Sequence, residues 1–171
     1  MTRYTGSALF IAQLVFLTVA ASAYEIETHA LISEFAGPRS QADDILKNHL
    51  GVNEGLSRIA QGFSLGFWLG EGSKREDNVL RLLNHFHNPL ASGWSQAGLL
   101  ASIGQSSVVW AQNTGQGFPG WSWADVRQRY FDALTKLQLP ERDSGLAKTF
   151  EGLGRQIHLI QDAASPAHVR N

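Results

Sequence analysis

Along most of this chain the apolar residues return every three or four positions, and no stretch alternates convincingly as a strand does. In LAKTFEGLGRQIHLI, Leu146, Phe150, Leu153, Ile157 and Ile160 keep that rhythm along one helix. Ser122 is placed to cap WADVRQRYFDALTKLQL, whose Trp123, Val126, Tyr130, Leu134 and Leu137 share a face; Pro140 follows. Ser40-Gln41-Ala42-Asp43 reads as a capping box with a shortened acid, opening a helix that Gly51 ends. Further helices are expected over Thr28 to Ala36, over parts of 53–69 and 75–84, and over Ala97 to Asn113. NTGQGFPGW (113–121) is the clearest loop. With no internal repeat and no dividing linker, the expectation is one all-α, multi-helix domain.

The first residues do not fit that domain. Arg3 supplies a positive start, ALFIAQLVFLTVA (8–20) is apolar, and Ala21-Ser22-Ala23 has the small-x-small form of a cleavage site. Residues 1–23 therefore read as a signal peptide, too short to span a membrane comfortably, ahead of a domain over 24–171. The expected location is secreted or periplasmic. Composition changes this picture in two ways. The chain has no cysteine, so an exported domain would have neither disulfides nor thiolate ligands for a metal. Its formal net charge of -1 gives no general attraction to duplex nucleic acid, and no duplex binding is expected.

The candidate chemistry lies in HLIQDAASPAH (158–168), which holds two of the 6 histidines. His158 and Asp162 are four residues apart and share a helix face, with Gly154 one turn earlier permitting a close neighbour. Ser165-Pro166 should end the helix, leaving His168 on a turn that can point back. An isolated His/Asp pair of this kind is more often an ordinary buried, hydrogen-bonded feature than a ligand set. The case for metal rests on the other histidines. His29 follows five residues after Tyr24, whose amine and carbonyl could chelate an ion once the signal peptide is removed. In REDNVLRLLNHFHNP (75–89), Asp77 is expected near a helix start and His85 near its end, two turns apart on roughly one side. His87 would face elsewhere, so one of this pair has no part in a site. His49 reads as a helix C-terminal residue.

An N-terminal aromatic, a His, an Asp, HFHNP and HxxxDxxxxxH, in that order from Tyr24 to the chain end, resemble the zinc-dependent phospholipase C family, whose superfamily includes the secreted fungal-type single-strand nucleases. The resemblance implies an all-helical domain around up to three zinc ions. It assigns Asp77, His85, His158 and Asp162 to one zinc. Asp162 would bridge to a second, completed by His29 and by the amine and carbonyl of Tyr24. His168 would begin a third site, left incomplete because no further His and acid follow before Asn171. Relative to the family, the expectation is a C-terminally incomplete chain. The short spacing from Asp77 to His85 leaves Glu76 as an alternative to Asp77.

The activity this implies is a metal-dependent phosphodiesterase, most simply a phospholipase C releasing diacylglycerol, with Asp77 as general base or water-orienting ligand. Its partners would be phospholipid or another phosphodiester, with peripheral contact to a membrane surface. A single-strand nuclease is the close rival and would draw on Trp110, Trp121, Trp123 and Arg170. The alternative of another class is a zinc-stapled domain without catalysis.

Overall fold

In the computed structural model the described residues are 25–90, 104–117 and 119–169. The proposed signal peptide, Tyr24, residues 97–103 of one expected helix, and Arg170 lie outside them. The elements are α1 (Ile26–Ala36), α2 (Ala42–Asp44) running into a π-helical turn (Ile45–His49), and a hairpin of β1 (Ile59–Ala60) and β2 (Phe63–Ser64). Next come α3 (Leu65–Glu76), α4 (Ser107–Trp110), α5 (Trp123–Thr135), α6 (Leu139–Ala163) and α7 (Pro166–Val169). The fold is mostly helical, as the periodicity requires. None of the described helices is long and apolar enough to cross a membrane.

α6 is the axis, and α1, α3 and α5 pack around it. The main apolar core gathers Leu46, Leu56, Leu65, Leu69, Ala147 and Phe150. Two glycines set the spacing of α3 and α6. A Cβ on Gly154 would stand 2.0 Å from the Leu69 carbonyl oxygen, and one on Gly72 would stand 1.9 Å from that of Glu151. The two backbones therefore touch, and side chains flanking the seam are forced into the interior. On α6 these include Glu151, Arg155, His158, Gln161 and Asp162, all buried.

Helix ends match the sequence in some places and depart in others. Ser122 and Asp125 form a reciprocal capping box on α5, and Ser64 caps α3 by accepting from the Phe67 amide at 3.1 Å. Val126 is buried as expected of the α5 face, but Trp123, Leu134 and Leu137 are exposed. Pro140 follows α5 and sits in the first turn of α6, where a missing N–H costs nothing. The box expected at Ser40 does not form. Asp43 instead accepts from the Leu56 amide at 2.7 Å and from Lys47 at 2.6 Å, while Ser40 donates to the Gly37 carbonyl at 2.7 Å. Gly51, at φ 68, does end the helix there. In 53–69, only the 3-10 turn Gly55–Ser57 and the start of α3 are helical. Between them Gln61 and Gly62, both at positive φ, turn a two-residue hairpin too short to show alternation. Of the helix expected over Ala97 to Asn113, residues 104–113 are described, and only Ser107–Trp110 of them are helical.

The largest correction falls on 75–84. Asp77 is not at a helix start but is the C-cap residue of α3, with ψ turned to 37°. Asn78 takes over the local backbone: its side-chain oxygen accepts from the Leu80 amide at 3.0 Å, and its carbonyl accepts from the Arg81 amide at 2.8 Å. Such a side-chain turn competes with continued helix. A 3-10 turn (Leu82–Asn84) then delivers His85.

Candidate metal centre

Four elements converge on Asp162. α1 brings His29, α6 brings His158 and Asp162 itself, the turn after Leu82–Asn84 brings His85, and α7 brings His168. All five side chains are buried to at least 97%. α6 ends at Ala163, and Pro166 opens α7, so the chain reverses and places His168 over Asp162. The His168 carbonyl accepts from the His87 amide at 3.0 Å, which ties this last turn to the HFHNP segment.

The two carboxylate oxygens of Asp162 face different imidazoles. Oδ2 stands 3.0 Å from Nε2 of His158 and 3.1 Å from Nδ1 of His85, and those two nitrogens share a hydrogen bond of 3.2 Å. Oδ1 stands 3.5 Å from Nε2 of His29 and 3.7 Å from Nδ1 of His168. Asp77 reaches the first group from the side, with Oδ1 4.0 Å from Nδ1 of His85. Despite the two nitrogens beside it, Oδ2 of Asp162 takes part in no well-directed hydrogen bond, and neither does Nδ1 of His168. Buried polar atoms crowded together without hydrogen bonding are costly unless a cation lies between them. Donors on a tetrahedral ion at about 2.0–2.1 Å stand about 3.3 Å from one another, close to the observed triangle. Among the described residues, the sets His29–His158–Asp162 and Asp77–His85–His158 could each hold a metal ion.

The tautomer of His29 follows from its surroundings. The Gly154 carbonyl can only accept, so Ser73 donates to it at 3.1 Å. Ser33 then donates to Ser73 at 2.8 Å and accepts from Nε2 of Gln161 at 2.9 Å. That orientation turns Oε1 of Gln161 toward Nδ1 of His29 at 2.5 Å, so Nδ1 carries the proton. Nε2 keeps its lone pair toward Asp162, the arrangement of a supported metal ligand.

Protonation states favour a cation as well. Burial and the neighbouring His158 hold His29 below its ordinary pKa, outweighing Gln161 and Asp162. Burial does the same at His168, against the pull of Asp162. Burial alone would raise the Asp162 carboxyl, but its polar and charge contacts with His158 and His85 hold it well below the usual carboxylate range. His29 and His168, held toward the neutral form, and an ionised Asp162 are in the states that bind metal.

Glu76, the alternative to Asp77, is committed elsewhere. Its fully buried carboxylate accepts from Arg81 at 2.8 Å, Arg155 at 3.2 Å and the Trp110 indole at 3.1 Å. It stands 3.9 Å behind Nε2 of His85. His87 is buried, and its ring contacts Ser106 at 2.8 Å; His49 is exposed on the π-helical turn. Gln161 is the residue of this cluster the sequence did not flag. One position before Asp162 and three after His158, it had only its place on the same helix to mark it.

Compared with known proteins, the chain matches no family model, no curated protein and no solved structure.

Proposed function

We propose that this chain is an exported zinc-dependent phosphodiesterase, most simply a phospholipase C that hydrolyses phospholipids to diacylglycerol and a phosphorylated headgroup. The reading rests on its resemblance to that family, and one observation carries it in the structure: Asp162 turns a separate oxygen toward each of two imidazole groups. A carboxylate so placed suits a bridge between two ions. Bound zinc would supply a Lewis acid for the phosphoryl oxygens and would acidify water to a useful nucleophile near neutral pH. His85, His158 and Asp77 would hold one ion, and His29 the other, with Tyr24 added if its amine is free. Asp77, its side chain 11% exposed, is the member of this set most open to solvent. It would take the proton of the attacking water or orient it.

A second reading, a single-strand nuclease, would draw on a cleft whose lining includes Asn78, one residue past Asp77. This cleft of about 940 Å³ is lined by Trp110, Trp121, Arg81, Arg129 and Arg155. Guanidinium groups lie over both indoles, at 4.8 Å on Trp110 and at 4.1 and 4.5 Å on Trp121. Both indoles are buried under these cations and Arg81 and Arg155 pair with Glu76, so the cleft suits phosphate contact more than base stacking.

The deciding experiment gives the zinc-loaded chain phosphatidylcholine in micelles and, separately, single-stranded DNA. Release of diacylglycerol, abolished by a chelator, is the expected result. DNA cleavage without lipid hydrolysis selects the nuclease instead. Turnover of neither, in a protein that a chelator destabilises, leaves a metal with a structural role only.

A further inference from the structure

The apolar core is not closed on all sides. Between α2, α5 and α6 a groove of about 400 Å³ runs down to Leu46, Val126, Phe150 and Leu153. That volume lies in the range of small-molecule sites, and its lining is nearly all hydrocarbon. The π-helical turn shapes one wall. Its 3.1 Å bond from the Leu50 amide to the Ile45 carbonyl spans five residues, which brings Ile45 and Leu50 round to the same side. Thr149, inside, donates its hydroxyl to the Gly145 carbonyl at 2.7 Å, so that proton is not available to a ligand.

The polar groups of the groove are at its rim. Arg127 and Tyr130 are three residues apart on α5, hence neighbours on its surface, and both line the groove. Neither makes an ion pair or side-chain hydrogen bond among the described residues. Both are donors, and one carries a positive charge. A ligand that matches this site has a hydrocarbon body and an anionic head able to accept from both.

We propose that the groove between α2, α5 and α6 is a binding site for one long-chain fatty acid, its tail on Phe150 and Leu46 and its carboxylate on Arg127 and Tyr130. The site is distinct from the metal centre, because Phe150 precedes His158 by eight residues, about 12 Å along the α6 axis. The inference does not depend on the phosphodiesterase reading.

The test is titration of the full chain with monomeric palmitate, with decanoate and hexadecanol as controls. The expected result is one palmitate per chain and affinity that falls about fourfold for each methylene removed toward decanoate. Arg127→Gln, at an exposed position, should weaken palmitate at least tenfold and leave hexadecanol unchanged. Ile45→Asp, also at a largely exposed position, should weaken both. Circular dichroism of the two variants verifies that each is folded. Absence of palmitate binding overturns the proposal, as does binding that neither folded variant changes. A self-associated chain whose assembly palmitate does not disturb also overturns it, because the groove is then the interface between copies.

Discussion

Asp162 and Gln161 are adjacent on α6 but contribute differently, and single substitutions separate them. Asp162→Asn keeps the shape of the side chain and removes the charge that faces four imidazoles. It should abolish stoichiometric zinc binding, measured by elemental analysis after dialysis; retention of two ions would remove the bridge. Gln161→Leu leaves every ligand in place but frees the Nδ1 proton of His29 from its acceptor. A lost supporting contact of this kind costs about 10–100-fold in metal affinity, and competition with a chromophoric chelator would read it. At this scale much was legible in the sequence. His29, Asp77, His85, His158, Asp162 and His168 do gather. Gln161 was not legible, because its role depends on Ser33 and Ser73, which come from two other helices.

At the scale of elements the sequence was a weaker guide, and the reasons are local. Periodicity located α5 and α6, although on α5 only Val126 of the periodic residues is buried, and α1 buries His29, Ala30 and Ser33 rather than an apolar face. Periodicity failed at 77–85, where the Asn78 side chain diverts the backbone and a 3-10 turn replaces the expected helix. His85 still arrives beside Asp77, by a route that face geometry alone could not supply. Pro140 does follow that of α5, which ends at Thr135, and its missing N–H fits the opening of the next helix. The seam between α3 and α6 gives the prediction at this scale. Gly154→Ala would drive a methyl group onto the Leu69 carbonyl, a backbone atom that cannot swing away. It should cost about 3 kcal/mol or more, seen as a lower midpoint in urea. The same helix shift would displace His158 and Asp162, so zinc affinity should fall with it.

For the molecule as a whole, metal and pH should act through the same residues. Without metal, His29 and His168 have folded pKa values below the ordinary 6.5, so the unfolded chain binds protons more readily. Their contribution to stability is complete above that value and is lost as pH falls through it toward the folded values. Asp162, also depressed, keeps its contribution to much lower pH. The chelator-treated protein should therefore melt at a lower temperature at pH 5.5 than at pH 8. Zinc should raise the melting temperature at pH 8 and do so much less at pH 5.5, where protons compete for the imidazoles. Equal melting temperatures with and without chelator at pH 8 would remove the metal from the account.

His29 belongs to the first described helix and His168 to the last described turn, yet both meet at one carboxylate. Contacts between such distant parts of a chain are slow to form, because a long loop must close before they return any energy. Neither three-residue set that could hold an ion includes His168, so α1, α6 and the segment after α3 must meet before an ion could be gripped, whereas α7 need not have closed. A chain halted before α7 would keep both of those sets and would leave Asp162 without one of the four imidazoles around it.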